Sequence, residues 1–174
     1  MNKIPGRKWQ LEEKDTIFAE NEAFIQRCKD LKEICEGQLQ FAWKGKGIEM
    51  PQFGGSKGPE IKKNLEELES MFAKHLKDIQ NLDYDILDVK ITKWHDDYGQ
   101  RFKENMKNLE IMYMNTISLS FKNITTIQEG CEMVENFDKL AKRQPIKDFV
   151  HKNATEWVYN LFLDELKQVE EIHE

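Results

Sequence analysis

Ile91-Thr92-Lys93-Trp94-His95-Asp96-Asp97-Tyr98-Gly99-Gln100-Arg101-Phe102 opens the stretch on which the fold turns. From Ile91 the large apolar residues recur at Trp94, Tyr98, Phe102, Met106, Leu109, Tyr113, Ile117 and Phe121, always three or four positions on. That spacing returns to one side of an α-helix at every turn, so the stretch reads as a single helix over about residues 88–122, with Gly99 its one tolerated break. Roughly 35 residues at ~1.5 Å each span about 52 Å. A compact globule of this length has a radius of gyration near ~16 Å and a diameter near ~40 Å, so the spacing predicts a rod rather than a ball.

Working outward, the same period appears on both sides. Phe24, Cys28, Leu31, Cys35 and Leu39 mark one apolar face of a first helix over about residues 15–42. Ile61, Leu65, Leu68, Phe72, Leu76 and Ile79 mark a second, opened by Pro59 and ending near Asn81. Between them lie Gly45-Lys46-Gly47 and Pro51-Gln52-Phe53-Gly54-Gly55-Ser56-Lys57-Gly58-Pro59, a long Gly/Pro-rich loop. After the long helix, Thr126-Ile127-Gln128-Glu129 has the form of a capping box. A fourth helix then carries Ile127, Cys131, Val134, Phe137 and Ala141, and stops before Pro145. Pro145 suits the start of a fifth, with Ile146, Phe149 or Val150, Ala154, Trp157, Leu161, Leu166 and Val169. No comparable strand signal exists. The expected fold is all-α, an elongated bundle of about five helices, with residues 1–14 an approach segment and 15–174 the bundle. The fifth pattern runs to Glu174 without a Gly or Asn stop, which points to a segment of a longer chain.

Composition narrows the function classes. The 174 residues hold 26 Lys and Arg against 32 Asp and Glu, a net charge of -6, so no whole-chain field draws in nucleic acid or an anionic membrane. No apolar run approaches the ~20 residues that cross a bilayer, and Met1 to Gln10 lacks the apolar core of a secretory signal. Cys28 and Cys35 stand two helical turns apart, about 10 Å, which is beyond disulfide reach. They read as small buried residues of a reduced, intracellular protein, and the sequons at Asn123 and Asn153 then carry no glycan.

Chemistry-bearing patterns are sparse. The glycine cluster lacks the Gly-Lys-Ser/Thr that a phosphate loop needs after a buried strand. Glu170-Glu171-Ile172-His173 supplies only one of the two Glu-x-x-His motifs of a di-metal bundle, and His95, Asp96 and Asp97 point in different directions from adjacent helix positions. His75 and His151 read as helix-surface residues, and no general acid-base pair can be built from them. No catalytic, cofactor-binding or metal residue is assigned. Of the four tryptophans, Trp94 and Trp157 fall on apolar stripes and belong in the core. Trp9 and Trp43, with Phe53 and its neighbours Gly54 and Gly55, lie outside every stripe, as loop anchors or partner contacts.

Specific residues then add a resemblance. Phe24-Ile25-Gln26-Arg27-Cys28-Lys29-Asp30-Leu31 with Ile34-Cys35-Glu36, the Phe53 to Pro59 stretch, Tyr84-Asp85-Ile86-Leu87-Asp88-Val89 and Trp94-His95-Asp96-Asp97-Tyr98 closely resemble the N-terminal tail region of dynein heavy chains, the axonemal class above all. Leu109-Glu110, Phe121, Glu129-Gly130, Phe137, Leu140-Ala141-Lys142-Arg143 and Leu161-Phe162 with Glu165-Leu166 continue it in colinear order over about residues 9–171. The resemblance implies a structural tail piece of a very large ciliary motor, assembled in the cytoplasm and placed in the axoneme. Its implied partners are dynein intermediate chains, another dynein heavy chain and axonemal docking proteins on the doublet microtubule, without a cofactor in this segment. The stretch from Tyr84 to Tyr98 leans toward an inner-arm chain. The competing reading is a free-standing helical adaptor of the spectrin-like kind.

Overall fold

A computed structural model describes residues 11–44, 47 and 50–173. Among these the chain forms α1 (Leu11–Phe41), α2 (Gly58–Gln80), a π-helical segment (His95–Phe102) that runs straight into α3 (Lys103–Phe121), α4 (Ile127–Leu140) and α5 (Gln144–His173). The fold is an all-α bundle. Its axis is the long stripe: Trp94, Tyr98, Phe102, Met106, Leu109, Tyr113, Ile117 and Phe121 are all buried. Around them close Ile61, Leu65, Leu68 and Phe72 of α2, Phe137 of α4, and Ile146 and Val150 of α5.

The long helix differs from its expected form in two ways. It begins later than residue 88, because Asp85 and Asp88 turn back on the chain: their carboxylates accept from the backbone N–H of Leu87 (2.9 Å) and Lys90 (3.0 Å), which competes with helix formation. Its first two turns are also π rather than α. From Trp94 to Met106 the stripe advances in three successive steps of four, each of which rotates ~40° around an α-helix and would carry the stripe off its face. Bonding to the fifth residue widens the turn and holds the rings in register. Trp94 stacks on Tyr98 at 5.1 Å with planes 2° apart, and Tyr98 on Phe102 at 5.8 Å.

The first helix contradicts its expected facing. Phe24, Cys28, Cys35 and Leu39, read as its buried stripe, are all exposed, and only Leu31 packs partly onto the core. The buried side carries Arg27, Asp30, Gly37 and Gln40 instead, with Phe41 entering the core at the last residue of the helix. Periodicity locates a stripe on a helix but does not say which neighbour the stripe meets. Here the bundle offers α1 carbonyls, an indole N–H and a guanidinium, and a polar face satisfies them where an apolar one would leave them unpaired.

At α4 the cap has the expected form at Thr126, whose hydroxyl accepts from the Glu129 N–H at 3.2 Å. The Glu129 carboxylate reaches back one residue further than the motif specifies, accepting from Thr125 N–H at 3.3 Å. Cys131 is exposed, and the buried line of α4 runs through Gly130, Met133, Phe137 and Leu140. Gly130 lets α5 approach closely: a Cβ there would stand 2.6 Å from Leu161 Cδ1. Beyond Leu161, α5 leaves the bundle, and residues 166–172 are exposed all round. α1 projects at the other end, since Arg27 sits against Ile91, in the turn that precedes the π segment, and residues 14–22 before it are exposed.

Candidate interaction surfaces

Four side chains on the inner face of α1 fix it to the bundle. Arg27 is buried, and its guanidinium donates to three backbone carbonyls, of Ile86, Asp88 (3.0 Å) and Ile91, closing off the turn that precedes the π segment. One turn on, buried Asp30 accepts from the Trp94 indole at 2.9 Å and from Gln26 at 2.8 Å. Glu33 follows, accepting from the Tyr98 hydroxyl at 2.6 Å and pairing with Arg143 at 3.4 Å. Burial, and then this hydrogen bond to Glu33, push the Tyr98 hydroxyl well above the usual phenol range, so it stays a donor. Gln40, wholly buried, donates to Leu140 carbonyl and accepts from the N–H of Lys142 (2.6 Å) and Arg143 (2.9 Å), tying off the α4–α5 turn. Arg143 also donates to Glu110 of α3, so one guanidinium joins α1, α3 and the turn.

These groups are structural rather than reactive, because each is consumed by a partner in the fold. The groove of about 660 Å³ between α1 and the π segment is lined by Arg27, Asp30, Trp94, His95 and Lys103, with Asp30 and Arg27 already engaged. His95 and Asp97 do not converge: Asp97 accepts from Tyr84 hydroxyl at 2.8 Å and pairs with Arg101. Among the described residues no group of three or more His, Cys, Asp or Glu is placed to hold a metal. No helix among them is long and apolar enough to cross a membrane.

The loop residues singled out from the sequence lie in different settings. Trp43 is buried against Phe41 and Tyr113, at ring distances of 6.4 and 6.0 Å. Phe53 is half-buried, tilted on Phe137 at 5.1 Å. Gly54 and Gly55 are exposed, and Gly55 turns the chain with φ 76° against Asn123 carbonyl. Trp9 lies outside the described residues. Of the other tryptophans, Trp94 is buried and Trp157 is half-buried, stacked on Phe121 at 4.3 Å.

What the sequence reading missed is on the outside. Ile17, Phe18, Phe24, Ile25 and Leu39 form an exposed apolar side of α1, and Tyr159, Phe162, Leu166, Val169 and Ile172 one on α5. The signal available beforehand was the polar line Arg27, Asp30, Glu33 and Gln40, at helical spacing opposite the apolar one.

The bundle thus turns two apolar helix sides outward, one on α1 and one on α5. The family model described as dynein heavy chain, N-terminal region 1, matches residues 1–174. The chain belongs to the dynein heavy chain family. It is 42% identical over 157 residues to the Dynein-1-beta heavy chain, flagellar inner arm I1 complex, of Chlamydomonas reinhardtii, which covers 90% of this chain and 3% of that one. It is 38% identical over 140 residues to human Dynein axonemal heavy chain 2, covering 79% of this chain and 3% of the relative. Similarity to the Dynein beta chain, flagellar outer arm, of Chlamydomonas reinhardtii is 24% over 172 residues, 99% of this chain and 4% of the relative. The chain thus spans only a small part of the length of these dynein heavy chains. Within the family it is N-terminal-region sequence, and the relatives named are flagellar or axonemal.

Proposed function

We propose that this chain is a tail segment of an axonemal dynein heavy chain, a structural and assembly element. It links an ATP-driven motor, carried elsewhere in the longer chain, to intermediate chains, a partner heavy chain and the doublet microtubule. The segment itself is not an enzyme and takes no cofactor; the full chain is the motor, assembled in the cytoplasm and placed in the axoneme. The two inner-arm and axonemal relatives at 42% and 38% identity support the class and favour an inner arm.

The observation that carries the reading is the facing of α1. A helix anchored through buried polar contacts, with its apolar side turned outward, is fitted to join its own bundle to a second body. Force passing along such a bundle meets packed helices rather than a flexible linker, which would absorb displacement as chain entropy. The test is lysine cross-linking of isolated axonemes followed by mass spectrometry. The reading expects links from exposed Lys29, Lys32 or Lys167 to intermediate chains or another heavy chain. Links confined to proteins outside the dynein complex would overturn it.

A further inference from the structure

We infer that the outward side of α5 is covered by the helix that follows Glu174 in the longer heavy chain, a basic helix folding back antiparallel along Tyr159 to Val169. Tyr159, Phe162, Leu166 and Val169 are spaced three, four and three apart, the repeat with which one helix seats its side chains between those of another. At ~100° per residue they fall within an arc of roughly 80°. The centre of that arc lies about 140° around the helix from Val150, Trp157 and Leu161, which pack on the bundle. All four are about half exposed, from 45% at Leu166 to 57% at Tyr159. The stripe is therefore a second seam on a helix whose first is already filled.

Charge gives the chemistry of the occupant. Residues 156–171 carry Glu156, Asp164, Glu165, Glu170 and Glu171 against Lys167 alone, a balance of -4, whereas residues 27–155 hold 21 acidic and 21 basic side chains and are neutral. Glu156 and Glu170 stand on one flank of the stripe and Glu165 on the other. A second copy of α5 would set like charge against like, and an anionic lipid surface would be repelled. A helix with Lys or Arg beside its own apolar stripe is drawn in.

The position of the stripe in the family's long chain gives the source. This sequence covers 3% and 4% of two of its relatives, and α5 runs to His173. Consecutive helices joined by about 2–8 residues tend to pack side by side, and so short a tether holds the next segment at about millimolar effective concentration. Residues 166–172 are exposed all round, so a returning helix displaces no contact of the bundle there. The inference rests on the tail reading, which supplies the chain beyond Glu174, and adds the charge, direction and seat of its next helix.

The test treats isolated axonemes with a carbodiimide, which joins a carboxylate directly to a lysine touching it, and identifies linked peptides from the monomeric heavy-chain band by mass spectrometry. The expected result is Glu156 and Glu170 joined to lysines within roughly 30 residues after Glu174, Glu170 to the earlier lysine and Glu156 to the later, as an antiparallel return requires. Phe162→Glu in the full-length chain should cut both yields at least tenfold. Val169→Glu should do the same, and it lies where α5 has left the bundle, so the core is untouched. Links from these carboxylates only to another polypeptide, to a second copy or in the reverse order, or no link at all, would overturn this inference alone. A polypeptide that ends at Glu174 would overturn the tail reading and this inference with it.

Discussion

Trp94 donates its indole N–H to the Asp30 carboxylate across 2.9 Å, and both side chains are buried. The contact joins the helix that reads least reliably from its pattern to the one that reads best. A tryptophan sunk in a core still needs an acceptor for its N–H, and α1 supplies it from a polar face. The same logic repeats along α1 at Arg27, Glu33 and Gln40, so a line of polar contacts, together with Leu31, Ile34 and Phe41 packed on the core, sets the rotation of this helix.

Asp30→Ala therefore strands a buried N–H. The expected cost is about 1–3 kcal/mol, a fall in melting temperature of roughly 2–10 °C for a chain of this size. Thermal unfolding followed by circular dichroism measures it. An unchanged midpoint would mean that α1 does not sit on Trp94.

Neighbouring residues on α1 should behave in the reverse of their hydropathy. Gln40 is 0% exposed and makes three hydrogen bonds to the α4–α5 turn, whereas Leu39 is 53% exposed. Gln40→Leu should destabilise by about 2–3 kcal/mol, since it leaves two N–H groups and a carbonyl without partners. Leu39→Gln should stay within ~0.5 kcal/mol. Denaturant midpoints of the two variants decide it, and the opposite order would mean that α1 is rotated by about 100° from this facing.

Much of the bundle was legible because it follows from spacing alone. The stripe from Trp94 to Phe121 is the core axis, α2 and α4 end within a residue or two of where their patterns stop, and Thr126 caps as its motif predicts. The facing of α1 was not legible, because an apolar stripe shows an angle and not a neighbour. Cys28 and Cys35, taken as buried on that stripe, went outward with it. The π segment was missed for a different reason: three steps of four look like ordinary helix unless the accumulated rotation is added up. For the candidate surface, the cue was the polar line opposite the apolar one, which a search for hydrophobic faces passes over.

Two glycines should respond differently to an added methyl. At Gly58 a Cβ would stand 2.2 Å from the backbone carbonyl of Phe53, whereas at Gly130 the obstacle at 2.6 Å is the end of the Leu161 side chain. Backbone at the mouth of α2 cannot step aside as a leucine methyl can. Gly58→Ala is expected to cost about 3 kcal/mol and Gly130→Ala about 1 kcal/mol. Urea unfolding of each variant measures this, and equal losses would speak against the close turn at Phe53.

Stability should fall away at both ends of the pH range for identifiable reasons. Burial, and then the hydrogen bond to Asp97, push the Tyr84 hydroxyl up to about 12 from 10.0. A folded-state value above the unfolded one means that the contribution is whole below pH 10 and is lost as pH rises through about 12. Asp97→Asn should bring the phenolate absorbance of Tyr84 on at lower pH. On the acid side, burial holds His75 below 6.5, with Nδ1 3.2 Å from the Asn105 amide. Its contribution is whole above pH 6.5 and declines as pH falls below it, so His75→Gln should flatten the stability profile there. A Tyr84 titration unmoved by Asp97→Asn would contradict the assigned contact.

The central claim, that this bundle is a segment of an axonemal heavy chain, is tested most directly by an antibody raised to residues 51–60 and used to blot isolated cilia and cell bodies. The account predicts a ciliary polypeptide of several hundred kilodaltons. A band near 20.7 kDa confined to the cell body would contradict it and leave a free-standing helical adaptor in its place.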